Sequence, residues 1–162
     1  MHTPVTLRAV RTDDEAFQYR VYAGTRAEEL APLGWDEDQK ERFLRMQFAA
    51  QSRFYKEQFP DADYRIILSG SRAIGRLYVD RREDEIRIID IALLPEDRNR
   101  GVGTALMGDV LAEARRLRKP VRIHVERNNV ARRLYQRMGF VRVGENGVYD
   151  LMEWAIDGPS AG

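Results

Sequence analysis

With 162 residues, no cysteine, two histidines and a net charge of +1, the chain is long enough for one domain with a real core. The same counts exclude disulfides, a thiolate nucleophile and cysteine- or histidine-based metal sites. Its 43% hydrophobic and 33% charged content is that of an ordinary globule. No apolar run approaches the ~20 residues of a bilayer span, and Met1-His2-Thr3-Pro4 lacks the character of a signal peptide, so a cytoplasmic location is expected.

Taken in order, residues 5–9 (Val-Thr-Leu-Arg-Ala) alternate as a first strand. Thr12 or Asp13 then caps a helix through Tyr22, with Asp14 and Glu15 favourably placed in its first turn. Residues 23–35, containing Pro32-Leu33-Gly34-Trp35, read as a loop or short helical turn, and Asp36 as the cap of a long helix to about Gln58. That helix carries Phe43, Leu44, Met46, Phe48, Phe54 and Tyr55, a face broad enough to pack on a sheet and to leave a few aromatics for an acceptor pocket.

Residues 64–68, 73–81 and 86–93 follow as three strands joined by hairpin turns at Ser69-Gly70-Ser71 and Arg82-Glu83-Asp84. A helix over 102–117, with Val102, Leu106, Val110, Ala114 and Leu117 on one face, leads to a strand over 121–125. The strand–helix–strand succession makes a βαβ unit with parallel strands. Asn128 or Asn129 caps a short helix with Ala131, Leu134, Tyr135 and Met138 inward. Residues 141–143 and 148–154 close the chain as a hairpin turning at Glu145-Asn146-Gly147, and 158–162 form a disordered tail behind a single domain over 1–157.

The chemistry concentrates at Arg98-Asn99-Arg100-Gly101-Val102-Gly103-Thr104. A glycine-rich turn from strand into helix leaves unpaired N–H groups at the positive end of the helix dipole, which suits a phosphate. Glycines at 101 and 103 permit close approach, and the flanking arginines can add charge-assisted bonds. Residues 98–142 carry twelve Lys/Arg against three Asp/Glu, leaving the remainder at −8. Because this basic block begins at the glycine turn, a polyphosphate ligand explains it better than nucleic acid, whose binders interleave more stacking aromatics. A P-loop would need a lysine after Gly103, and a dinucleotide fingerprint a small residue at Leu106.

The larger pattern joins Pro95 and the 98–104 turn to Asn128-x-x-Ala131-x-x-Leu134-Tyr135-x-x-x-Gly139-Phe140. It resembles the GNAT superfamily of acyl-CoA-dependent N-acetyltransferases over the whole chain. The resemblance implies an α/β fold (α+β in layer terms): a mixed sheet of about seven strands whose parallel βαβ core splays at the cofactor site, flanked by about four helices. It implies that the backbone of Arg98, Asn99, Arg100, Gly101, Val102, Gly103 and Thr104 holds the pyrophosphate of acetyl-CoA. Ile91, Ala92 and Leu93 would pair with the pantetheine arm, and an N–H near Leu93 would polarise the thioester carbonyl. Asn128 and Ala131 would meet the cofactor in the gap, and Tyr135 would protonate the departing thiolate.

The general base stays open among Asp90, expected to be buried with a raised pKa, His124 on the neighbouring strand, Glu126 near that strand's exit, and water. The implied reaction is direct attack by a primary amine of a small molecule or peptide in a ternary complex. The alternative is a non-catalytic acyl-CoA sensor on the same fold. Neither membrane nor nucleic acid is an expected partner, and the closing hairpin offers an edge for a homodimer.

Overall fold

The computed structural model describes residues 4–127, 129 and 131–157. Alternating strand patterns, a capped amphipathic helix and the βαβ succession yield seven strands and four α-helices among those residues. In chain order these are β1 Val5–Ala9, α1 Glu15–Leu30, α2 Glu37–Gln58, β2 Asp63–Ser69, β3 Arg72–Arg81, β4 Ile86–Leu93, α3 Val102–Leu117, β5 Val121–Glu126, α4 Arg132–Arg137, β6 Val141–Asn146 and β7 Tyr149–Trp154. The strands form one mixed sheet in the order β1-β2-β3-β4-β5-β7-β6. Its parallel pair is β4 with β5, as a crossover through α3 requires.

The chain forms two compact units, Met1–Tyr78 with Ile91–Arg100, and Val79–Asp90 with Gly101–Gly162. In the first unit, Tyr22 and Leu30 of α1 bury against Leu44 and Phe48 of α2, with Tyr19, Ala23, Trp35 and Phe43 packed around them. α2 starts where its sequence says: the Asp36 carboxylate accepts the Gln39 N–H at 2.8 Å, and the Gln39 side chain accepts the Asp36 N–H at 3.0 Å. Of the broad α2 face, Phe48 is buried, whereas Met46 and Phe54 are exposed.

The expected loop over 23–35 is corrected. α1 continues to Leu30, and a short 3-10 turn, Ala31–Leu33, joins it to α2. Gly24 reads as a helix breaker by propensity, but here it gives clearance: a Cβ would lie 3.0 Å from the Pro95 ring.

In the second unit, α3 buries Leu106, Met107, Val110, Leu111 and Ala114. Leu117, the last residue of the helix, is exposed, and Arg118 after it takes the left-handed region, φ 58°. Val121, Ile123 and Val125 of β5, and Met152 and Trp154 of β7, fill the core from the sheet. β6 runs on through Glu145 and Asn146, so the closing hairpin turns later than its sequence suggests. The expected tail over 158–162 lies outside the described residues.

Candidate active site

The 98–104 turn is braced from within its own chain before any ligand is considered. Pro95–Asp97 forms a 3-10 turn whose Asp97 is buried and gripped by Arg72 through bonds of 2.6 and 3.1 Å. Arg98 donates from Nε to the Leu93 carbonyl and from Nη2 to the Gly24 carbonyl, both at 3.2 Å. The Arg98 guanidinium therefore ties the turn to the end of β4 and to α1, rather than standing ready for an anion as its sequence position suggests. Arg100 is exposed. Asn99 and Gly101 both take left-handed backbone conformations, φ 62° and 80°, which direct the chain sharply into α3.

α3 begins very differently from α2. No side chain caps it and its first turn holds no acid. Its first back-bonded amide is Ala105, donating to the Gly101 carbonyl at 3.0 Å, so the amides of Val102, Gly103 and Thr104 open the helix without an intrahelical acceptor. A Cβ built at Gly101 or Gly103 would meet nothing within 4 Å. Neither glycine is demanded by internal packing at its Cβ, and the space beside them is open. This is the fit expected of a phosphate cradle.

The β4–β5 ladder runs from Ile86↔Val121 to Ile88↔Ile123 and stops there, although β4 continues to Leu93 and β5 to Glu126. Ile91, Ala92 and Leu93 are half-buried. Their placement depends on Gly75 of β3, which the sequence reading passed over. A Cβ there would lie 2.3 Å from the Ala92 carbonyl oxygen and 2.8 Å from a Leu93 methyl, while the Leu94 N–H donates to the Ile74 carbonyl at 2.8 Å. A lone glycine inside a strand is the signal that could have marked this close approach.

Tyr135 is buried, 5% exposed, with its ring centroid 5.9 Å from that of Phe140. Burial, and secondarily the negative charge of Asp90, push its phenol up to about 12. It keeps its proton throughout the physiological range. The structure thus brings Asp90 and Tyr135 into electrostatic contact. Asp90 is half-buried rather than buried.

His124 stands elsewhere. Val121, Ile123 and Val125 share the buried face of β5, and His124 alternates onto the other with Arg122 and Glu126. The Ile88↔Ile123 register puts Asp90, two residues beyond Ile88, on the opposite face from His124. Desolvation of the imidazole and the positive charge of Arg87 lower its pKa, with Glu85 opposing. Arg87 Nη1 approaches His124 Nδ1 at 3.4 Å. Since a guanidinium only donates, that contact makes Nδ1 the acceptor and places the proton of the neutral ring on Nε2.

Glu126 ends β5, half-buried, and its carbonyl accepts the Asn129 N–H at 3.0 Å. Asn129 caps the α4 entry by accepting the Ala131 N–H at 2.8 Å. Asn128 lies outside the described residues. Among those residues, no three His, Asp or Glu side chains are grouped to hold a metal, and no helix is long and apolar enough to cross a membrane.

Several solved structures similar to this chain are described as acetyltransferases. The PaiA N-acetyltransferase of Thermoplasma acidophilum, in complex with coenzyme A, aligns at TM-score 0.71 with 17% identity, covering 94% of this chain and 99% of its own. A structure described as histone acetyltransferase HPA2 and related acetyltransferase, from Corynebacterium glutamicum, aligns at 0.64 with 20% identity, covering 100% and 99%. A spermidine N-acetyltransferase SpeG chimera from Vibrio cholerae and hSSAT aligns at 0.63 with 19% identity, covering 93% and 95%. No curated protein sequence matches. At these identities the likeness is one of fold, but the model of the acetyltransferase (GNAT) family matches residues 25–140. That match spans most of the chain, including the glycine turn and Tyr135, and the chain belongs to the GNAT acetyltransferase family.

Proposed function

We propose that this protein transfers an acetyl group from acetyl-CoA, the cofactor of its family, to a primary amine of a small molecule or peptide. The observation that carries the reading is the start of α3: uncapped amides, no acid, and open space beside Gly101 and Gly103. α2 closes its own N-terminus with side chains. α3 leaves its amides to a ligand.

In this reading the amides of residues 99–104 hold the pyrophosphate, the Arg98 N–H being given instead to the Pro95 carbonyl at 3.3 Å, and the backbone of Ile91, Ala92 and Leu93, beyond the paired stretch of β4 and β5, receives the pantetheine arm. Bound acetyl-CoA supplies an acyl group activated as a thioester. The chain's own residues supply the proton traffic. The Tyr135 phenol, kept protonated by burial and by Asp90, donates to the departing sulfur. Asp90, whose charge acts on that phenol, is the stronger candidate to receive the amine's proton, because His124 alternates to the opposite face of the sheet from Asp90 and presents Nδ1 to Arg87. Asn128 and Ala131 complete the cofactor contacts by family resemblance. A buried phenol beside a carboxylate also favours an enzyme over a non-catalytic acyl-CoA sensor, which has no use for a proton donor.

The test is calorimetric titration with acetyl-CoA, followed by thiol release with a panel of amines that includes spermidine, suggested by one structural neighbour, and lysine peptides. Micromolar binding with amine-dependent thiol release is expected. Absence of binding refutes the cradle, and binding without turnover on any amine favours the sensor.

A further inference from the structure

The feature this reading leaves unused is Asp150. β7 alternates so that Asp150, Met152 and Trp154 face inward, which sets a carboxylate, 1% exposed, in line with two core residues. A carboxylate in such a place costs more than an apolar side chain of similar size unless it is fully partnered. Here three arginines from three segments converge on it. Arg127, just after β5, donates from Nε at 3.2 Å, and Arg142 of β6 donates from Nε at 3.0 Å, both to Oδ1. Arg132, the first residue of α4, pairs with Oδ2. Burial alone would raise the Asp150 pKa, but these bonds outweigh it and hold the group below the usual carboxylate range. Arg127 is itself fixed a second time, by Glu145 and by the Gly147 carbonyl, each at 2.8 Å.

The connection from β5 to α4 is therefore pinned to one buried carboxylate at both its ends, Arg127 and Arg132. α4 has six residues, far fewer than a helix needs to be stable by itself, so its place must come from tertiary ties. Arg132 stands one turn before Tyr135. The Tyr135 N–H donates to the Ala131 carbonyl at 3.1 Å.

We propose that Asp150 is a positioning residue: through Arg132 and Arg127 it sets the entry of α4 and thereby the place of the Tyr135 phenol. The proposal rests on the reading of Tyr135 as proton donor, and the experiment separates the two. Asp150→Asn and the milder Arg132→Gln, which leaves Asp150 its two other arginines, are compared with the native chain by titrating phenolate absorbance, with Tyr135→Phe subtracted to isolate the one tyrosine. The Tyr135 ionisation is expected to fall from about 12 into the ordinary tyrosine range near ~10 in both variants. This readout needs no acceptor. With the fastest amine of the panel, kcat is expected to fall about ten- to a hundredfold, as for a reacting group moved by about an ångström, with acetyl-CoA affinity little changed. In a Tyr135→Phe background the Asp150→Asn change should then lower kcat no further.

An unmoved Tyr135 titration in both variants overturns the proposal, as does an equal loss of kcat with and without the phenol. A merely stabilising role lowers the melting temperature and moves neither. If Tyr135→Phe alone leaves kcat intact, the proton-donor reading fails, while the titration still judges the hold of Asp150 on α4.

Discussion

Gly103 and Gly108 lie in the same helix, and alanine at either should give opposite answers once coenzyme A is present. A Cβ at each meets nothing within 4 Å, so the apo protein has no packing reason to resist the change. Replacing a helical glycine by alanine removes backbone freedom from the unfolded chain and stabilises by about 0.5–1 kcal/mol. For a chain of this size that is about 2–4 °C in Tm at the upper end. Both variants should therefore melt slightly above the native protein without ligand.

With coenzyme A the two should diverge. Gly108 lies mid-helix and its alanine keeps the full ligand shift. At Gly103 the new methyl stands among the opening amides of α3. Losing one charge-assisted bond costs about 1.5–3 kcal/mol, a roughly ten- to hundredfold rise in Kd. At a ligand concentration of 100 Kd the native protein gains about 2.7 kcal/mol, whereas a hundredfold weaker variant gains only ~0.4 kcal/mol. The melting order of Gly103→Ala and the native chain should consequently reverse between apo and holo scans, with calorimetry giving the Kd directly. Native affinity in Gly103→Ala would refute the placement of phosphate against this turn.

Tyr135→Phe should lower kcat about a hundredfold or more with acetyl-CoA affinity preserved; unchanged kcat would remove the phenol from the chemistry. A raised phenol pKa adds stability that is whole below the unfolded value near ~10 and lost as pH rises through about 12. Alkaline unfolding curves should thus lose that step in the phenylalanine variant. Gly75→Ala must displace the Ala92 and Leu93 backbone and should cost about 1–3 kcal/mol, with weaker acetyl-CoA binding; a neutral effect in both assays would show that β4 tolerates the shift. Asp14 is held at about 2, chiefly by its hydrogen bond from Arg8. Its contribution is present above the unfolded value near ~3.9 and lost as pH falls toward about 2, and after solvent screening it is worth about 1 kcal/mol. Asp14→Asn should be less stable at pH 7 and should flatten the acid limb of a denaturation series, which urea melts at stepped pH will measure.

Much of this protein is decided by local sequence. The alternation over residues 5–9, the period of 3.6 over α3, and the Asp36 cap each act within a few residues, and each element appears where its pattern places it. The glycine turn and the inward Tyr135 are local in the same sense, which is why the family could be read from residues 98–104 and 128–140.

What the tertiary structure decided are destinations that depend on distant partners. Gly24 suits its place in α1 because Pro95 lies against it, and Gly75 matters because the end of β4 passes within 2.3 Å of where a side chain would be. Arg98 reaches two carbonyls instead of open solvent. The separation of Asp90 from His124 follows from the β4–β5 register, which neither strand carries by itself. Asp150 shows the same limit most plainly. One acidic residue in a closing strand gives no hint of its role until three arginines, from the β5 exit, α4 and β6, arrive at its two oxygens. Periodicity and turn chemistry are properties of neighbouring residues, whereas the partner of a buried charge is chosen only when the strands have paired.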